Sequence, residues 1–589
     1  MLIQKLLLAK GESNVFPIDF YFNSNIREQI STLDERSLNI PKGESVLFNT
    51  YYNIFSVLKW KNFTAINDLS LILKGTGRVR ITCFFIDINT VPQCIYEADI
   101  ELSSEGVQAP IEKYKELKTG AIYIKIAALT DCELYDNSGF MTNTPAPNDH
   151  LKLGLVITHY NRKQHILPVL KKLSQEISED TLLSQHASIV VVDNSSNIEK
   201  NEIQGISYLN VIPNANLGGS GGYARGLLYL KDHNFSHCLY TDDDVAFEPE
   251  SIRRCLAFLV FGNDKTLSVV GSIFSEEQPY RCLQTGAKFN YRGWIGLNNG
   301  VNFADMYQIV AVDHSLSRPD YGAWPFFAFP IHEVSHFPFP YFVRGDDVLF
   351  GIQNNFNIVS LNGIGVTVGN IIHREGPMSL YQDTRAILSI NCFKNTSKIL
   401  FIKIFTSLFI SQLLSYKYGS VNSVLKAFED VWSGPEFFAK NVDCLSIRKE
   451  VKTYAEKEAF TNIDTNEPDY VSFTIHESLI RRLIRYLTIN GVLLPNCLLK
   501  NQSVYQLKSF KAVFRQIFLY KKVFYYCPYT RRFLLVEMDK KIIFVNILKY
   551  LKCLFKILTQ YGKVKKLYHK NSTKVGSEDF WRIVYKDSF

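Results

Sequence analysis

Apolar residues along the first quarter of the chain fall in short runs with partial alternation. SLILKG (70–75), RVRITCFFIDI (78–88) and AIYIKIAAL (121–129) are rich in β-branched and aromatic residues, and Gly, Asn and Pro clusters part them. Several short strands divided by turn signals predict a β-sandwich or small barrel over residues 1–147. A polar stretch with prolines, NTPAPNDH (143–150), reads as a linker.

The pattern then changes. LKLGLVITHYN (151–161) is a buried strand entering a polar loop, and a helical segment leads to ASIVVVDNSS (187–196), a second such strand. SYLNVIPN (207–214) is a third, followed by a glycine-rich loop, the helix YARGLLYLKDH and the strand HCLYTDDDV (237–245). Strands alternating with helices predict a parallel, Rossmann-like α/β domain over residues 148–392, with ligands bound at the carboxyl ends of its strands. Beyond it, residues 393–589 read as an α-helical region. No internal repeat or low-complexity tract interrupts this three-part layout.

A length of 589 residues fits three or four domains at ~150 residues each. The apolar fraction of 46% excludes a disordered or simple coiled-coil chain. The net charge of +8 hides an asymmetry: from Ser478 onward there are 23 Lys and Arg against 5 Asp and Glu. An acidic body carrying a basic tail predicts that the tail meets an anionic surface. The 11 cysteines form no CxxC pair, which argues for a reducing compartment and against a disulfide framework or zinc ribbon. The N-terminus lacks an h-region and cleavage site, so no signal peptide is read. ILFIKIFTSLFISQLL (399–414) is short for a membrane span and holds Lys403, so a buried helix is expected.

Thr241-Asp242-Asp243-Asp244-Val245 is the strongest chemical signal. Alternate residues on an extended segment point the same way, so Asp242 and Asp244 can share one ion. Oxygen ligands favour Mg²⁺ or Mn²⁺. The plain alternative is a solvated acidic turn. Asn216 through Gly226, NLGGSGGYARG, opens a helix whose glycines, Gly218 and Gly219 among them, permit close backbone approach by a phosphate. Gly219, Gly221 and Ala224 also fit a loose GxGxxA dinucleotide pattern, but two strand–loop units precede it where none should. A second acidic pair, Asp346-Asp347, precedes an apolar run: Asp346 reads as a helix cap and Asp347 as a base for a hydroxyl. His373 after an apolar run is usually structural, yet beside a DxD it is a candidate third metal ligand. The aromatic run 321–330 suits a sugar-binding wall, although such runs more often fill cores.

Taken in order, VITHYNR (156–162), NLGGSGGYARG (216–226), DDDV (242–245) and GDDVLFG (345–351) followed by His373 resemble the family-two glycosyltransferases of GT-A fold, and within them the galactofuranosyltransferases that polymerise galactan. The resemblance covers roughly residues 151–392. It implies that Arg162, Asp193 and Asp243, with Asn216, Gly218 and Gly219, bind a UDP-sugar donor. It implies that Asp242, Asp244 and His373 hold Mn²⁺ or Mg²⁺, that Asp347 is the catalytic base of an inverting transfer, and that Trp324 and Asp346 bind acceptor. Three positions depart from the family pattern. Pro325 replaces the second residue of a tryptophan pair, Gly345 replaces the tryptophan before the acids, and Ala386 replaces the asparagine of a Tyr…Arg-Asn element. These changes bear on the acceptor rather than the donor. The QxxRW element of processive synthases is missing.

In the tail, Lys549, Lys552, Lys556 and Lys563 share one helical face in 541–566, and 511–524 repeats the design. Such helices suit an anionic bilayer surface; no nucleic-acid motif accompanies the charge, so nucleic acid is not a partner. The expectation is a cytoplasmic enzyme, peripheral on the inner face of the membrane, adding galactofuranose to a polysaccharide or lipid-linked glycan, with a homo-oligomer left open. Another nucleotide-sugar donor (hexopyranose or rhamnose), a nucleotide-binding oxidoreductase and a non-catalytic glycan-binding protein are the alternatives.

Overall fold

A computed structural model describes residues 1–9, 15–24, 37–315, 317–369, 376–461, 477–507, 514–527, 530–571 and 573–587. The N-terminal region forms three antiparallel sheets rather than the two of a simple sandwich. Arg78–Ile86, Ala121–Ala128 and Gln93–Glu101 belong to the largest of them. Trp60 is completely buried, stacked on Phe55 and edge-on to Phe258 of the next domain.

The central domain is built on one large sheet. β1 (Leu153–His159), β2 (Ala187–Asp193), β3 (Leu209–Pro213) and β4 (His237–Asp242) are parallel in the order β3-β2-β1-β4. The sheet continues through β7 (Phe327–Pro330), β6 (Leu267–Ser275) and β8 (Asn357–Val368) to β5 (Val245–Phe247). β7 runs antiparallel to both its neighbours. β1 and β2 are buried nearly throughout, which is why they read as unbroken apolar runs. The chain order reverses between β1 and β4, and that switch point is where open α/β sheets bind ligands.

Helix α1 (Lys163–Glu179) follows β1, α2 (Gly218–Asp232) precedes β4, α3 (Pro249–Val260) follows β5, and α4 (Asp346–Gln353) leads into β8. The first domain is fastened along α3. Tyr21 donates to Glu248 at 2.5 Å, and the Lys5 backbone N–H to Glu250 at 2.9 Å. Asp180 takes Lys5 at 2.9 Å and Arg253 at 2.8 Å, and also caps the helix Thr181–His186. Burial works against its ionisation, but Arg253, Lys5 and the cap bonds win and hold its pKa at about 2. A depressed carboxyl contributes stability that is full above its unfolded pKa and is lost as pH falls through the folded value. Asp180→Asn should therefore cost about 2 kcal/mol at pH 7, and the deficit should shrink as pH falls from ~4 toward ~2. Denaturant titrations of both proteins at each pH test this; a deficit that does not change with pH contradicts it.

Helices α5 (Pro377–Phe393), α6 (Lys398–Leu413), α7 (Tyr418–Trp432) and α8 (Leu445–Glu456) form a bundle against the central domain. α6 covers the apolar stretch 399–414, with Phe401, Phe405 and Phe409 fully buried. No helix among the described residues is long and apolar enough to cross a membrane. α9 (Leu479–Leu487) comes next. The C-terminal region is not all helix: β9 (Lys500–Leu507), β10 (Tyr520–Cys527) and β11 (Arg532–Glu537) make a three-stranded sheet. The amphipathic helix expected over 511–524 is thus a strand from Tyr520; residues 511–513 lie outside the described residues. In β10, Val523, Tyr525 and Cys527 are buried alternately, and aromatic density there favours the pleated form. α10 (Lys540–Asn571) packs on the bundle, with Tyr568 donating to the Val431 carbonyl at 2.8 Å. α11 (Glu578–Asp587) returns to the central domain.

Candidate active site

Asp242 ends β4, and Thr158 near the end of β1 is its parallel partner. Asp242, half-buried, accepts the Tyr223 hydroxyl at 2.5 Å. Burial, with Asp244, Asp243 and Asp346 close by, pushes its pKa up to about 7. Asp243 turns the other way. It accepts Arg162 at 2.9 Å and the Tyr160 N–H at 3.3 Å, and meets His159 Nδ1 at 3.1 Å. Arg162 also reaches Asp244 at 2.7 Å. The middle acid therefore ties the loop after β1 to the loop after β4, while Asp242 and Asp244 flank it.

Asp346 and Asp347 stand at the head of α4. The sequence suggested Asp346 as the cap, but Gly345 holds that position in a left-handed conformation (φ 88°), and Asp346 is the first helical residue. A side chain at residue 345 would meet the Ala386 Cβ at 2.4 Å. Asp346 is buried and accepts the Ser220 hydroxyl at 2.8 Å; Asp347, half-buried, accepts its neighbour Val348 N–H. Both carboxyls are raised, Asp347 by burial, then by Asp346 and Asp242. Acids from two distant stretches thus come near each other, Asp242 from one and Asp346 and Asp347 from the other.

The glycine-rich segment is mostly packing. A Cβ on Gly222 would lie 2.4 Å from Thr158, and one on Gly226 2.2 Å from Val156, so α2 presses directly on β1. Gly218 is left-handed (φ 70°), with the Phe342 carbonyl 2.1 Å from where a Cβ would stand. Gly219 alone in this run is open toward the site, with Asp346 3.6 Å from its would-be Cβ. Asn216 closes back on the Gly218 N–H at 3.2 Å. Because α2 follows the third strand of the sheet, the dinucleotide pattern has no structural counterpart.

Two residues sit differently from expectation. Asp193 is buried, and its carboxylate is saturated by Ser195, Asn197 and Ile198 of its own loop at 2.7–2.9 Å. It shapes that loop rather than presenting a free carboxylate. Trp324 is 4% exposed, with Tyr223, Tyr240 and Phe350 rings 4.7–5.9 Å away, and its ring N–H finds no partner among the described residues. It backs the Tyr223–Asp242 pair instead of forming an open wall. The following Phe327 and Phe329 lie in β7, a strand interior to the sheet, which explains the aromatic density. His373 lies outside the described residues. Among the described residues no group of three or more His, Cys, Asp or Glu is arranged to hold a metal.

Residues to which the sequence gave no role support the acids. Tyr223 and Ser220, inside the glycine run, bond Asp242 and Asp346. Arg385, fully buried, donates to the Tyr341 carbonyl and to Cys444 Sγ at 3.4 Å, with the Tyr381 and Phe438 rings at 5.1 and 5.5 Å. It supports a strained turn in which Phe342 (φ 70°) and Arg344 (φ 67°) are left-handed. Arg344 takes both oxygens of Asp383 at 2.8–2.9 Å. From the C-terminus, Tyr585 donates to the Gly221 carbonyl at 2.5 Å and Trp581 to Pro338 at 2.8 Å.

Residues 3–143 match a family model described as Galactofuranosyltransferase 2 N-terminal. Galactofuranosyltransferase GlfT2 of Mycolicibacterium smegmatis is 24% identical over 453 residues, 68% of this chain and 66% of that protein. This chain is similar to the galactofuranosyltransferases. The Mycobacterium tuberculosis GlfT2 is likewise 24% identical, over 359 residues, 56% of this chain and 55% of the relative. The chain thus spans just under two thirds and about half of these two relatives' lengths. The family model covers the domain in which the sequence alone offered no chemistry. Among solved structures, residues 1–349 of S. aureus TarS align at 14% identity and a TM-score of 0.31, over 53% of this chain and 95% of that one.

Proposed function

We propose that this chain is a metal-dependent inverting glycosyltransferase. On this reading it moves galactofuranose from UDP-galactofuranose to a growing, lipid-linked bacterial surface polysaccharide, at the cytoplasmic face of an anionic membrane. The observation that carries the chemistry is that Ser220 and Tyr223, one turn apart on α2, hold Asp346 and Asp242, which brings the head of α4 to the switch point. The relationship to galactofuranosyltransferases supports the sugar.

The acid set suits a divalent cation. Its ligands are hard oxygens, and burial first, then the neighbouring Asp244 and Asp243, raises Asp242, a burden that a bound cation would relieve. Asp242 and Asp244, with His373 as third ligand, would hold Mn²⁺ or Mg²⁺, which supplies charge neutralisation to the leaving diphosphate. Arg162, tied to Asp243, orients the diphosphate end of the donor. The loop shaped by Asp193 and the open backbone at Gly219 receive the nucleotide side. Asp347 takes the proton from the acceptor hydroxyl as that oxygen attacks the anomeric carbon from the face opposite the diphosphate. One base suffices, and no protein nucleophile is needed. Asp346, held by Ser220, fixes the turn that aims Asp347 and borders the acceptor.

A panel of UDP- and dTDP-sugars tests this, each with Mn²⁺ and with EDTA. The expected outcome is turnover with UDP-galactofuranose that EDTA abolishes. Turnover with a pyranose or rhamnose donor alone would overturn the sugar and keep the chemistry. Turnover insensitive to EDTA would overturn the metal role.

A further inference from the structure

Helix α9 is built inside out. Its buried residue is Arg485, 2% exposed, held by Glu477 through bonds of 2.6 and 3.1 Å. Leu479, Ile480, Leu483, Ile484, Tyr486 and Leu487 are instead 44–79% exposed. A helix on a water-facing surface puts its apolar stripe inward, and an exposed apolar patch of this kind marks a docking surface. The patch continues through Leu493 and Leu498 in the following turn, 64% and 60% exposed. Lys540 donates to the Leu494 carbonyl, so this turn abuts the start of α10. There a second exposed apolar stripe runs along the helix at Phe544, Leu548, Leu551, Phe555 and Leu558, interleaved with Lys549 and Lys552.

Charge decides the occupant. From Glu477 to Asp539 the chain has 11 Lys and Arg against 3 Asp and Glu, so the region stays cationic although Glu477 pairs with Arg485 and Glu537 with Lys522. A second copy would bring the same positive surface against the first, which like-charge repulsion opposes. A bilayer bearing acidic headgroups satisfies both features: it takes apolar side chains below the headgroups and cationic ones among them.

We propose that α9 is an in-plane membrane anchor, embedded in the interfacial layer of an anionic bilayer, with the outer stripe of α10 resting on the same surface. This rests on the membrane-side reading above and sharpens it. The sequence drew attention to the lysine face of 541–566, whereas the structure assigns the insertion to α9.

The test uses the full chain and vesicles of phosphatidylcholine, with or without about one third phosphatidylglycerol. Wild type is expected to sediment with the anionic vesicles and about tenfold more weakly with the neutral ones. Ile480→Ser/Leu483→Ser should lose at least about tenfold in vesicle affinity while unfolding at the same temperature and keeping transfer to a water-soluble acceptor. Leu483→Trp should show a blue shift of indole emission when anionic vesicles are added. Vesicle binding unchanged by the double substitution, an emission spectrum of the Leu483→Trp variant that does not shift, or failure of wild type to bind vesicles would each overturn the proposal. A drop in oligomer size on Ile480→Ser/Leu483→Ser would do so in favour of a second copy. Vesicle binding without transfer from any donor would sink the enzymatic reading and leave this one standing; normal transfer without vesicle binding would do the reverse.

Discussion

Asp347→Asn is expected to lower kcat by about 10²–10⁴ while UDP binding stays within about twofold of wild type. The amide keeps the volume and the bond to the Val348 N–H but cannot accept a proton. On the proposed reading the donor is held elsewhere, by Arg162 and the loops after β2 and β3, so calorimetric titration with UDP separates lost chemistry from lost binding. Normal turnover would remove the base assignment. The pair also predicts a pH signature. Burial and the charges of Asp346 and Asp242 raise Asp347, so the reactive carboxylate forms only as pH rises through its elevated pKa, and kcat/KM should climb over that range. Asp346→Asn removes the nearer charge and should move that rising limb to lower pH. A limb that stays in place would show that the titration belongs to another group.

The second large effect is on Arg385→Ala. This guanidinium is buried, joins the Tyr341 carbonyl and Cys444, and is the cation that lowers the charge burden on Asp346. Its removal leaves a buried carbonyl unpaired and frees a turn that holds Phe342 and Arg344 in left-handed conformations. A loss of about 3 kcal/mol in stability is expected from the unpaired groups and the cavity. Transfer should fall further than stability alone explains, because the turn aims Asp347. Arg385→Lys keeps the charge and should recover part of the stability but little of kcat, since one ammonium cannot span both partners. Equal recovery of both would reduce Arg385 to a merely structural role.

Much of this site could be read from the chain, for identifiable reasons. Three carboxylates after an apolar strand are legible because strands and charges rarely adjoin without cause. Asp347 is legible because the residues after it continue as a helix. The glycines misled in part: close packing of Gly222 on Thr158 and Gly226 on Val156 demands the same residue as a phosphate cradle does. Trp324 misled for a similar reason, since aromatic rings that fill a core and rings that face a sugar have one signature. Asp193 gave no hint that its oxygens would be consumed by its own loop. In the tail, Tyr520–Cys527 was hidden in a basic, apolar stretch whose lysines suit either period.

The contact between Gly345 and Ala386 bears on how the turn before α4 can be altered. These are two of the three positions at which the chain departs from the galactofuranosyltransferase pattern, and they touch. Residue 345 cannot be enlarged alone: a Cβ there would stand 2.4 Å from the Ala386 Cβ, and the backbone at 345 is left-handed besides. With Ala386→Gly the nearest remaining atom of residue 386 would be its Cα, at 3.6 Å. The two sites are therefore coupled: any side chain at 345 needs a smaller residue at 386, and even then must accept the left-handed backbone at 345.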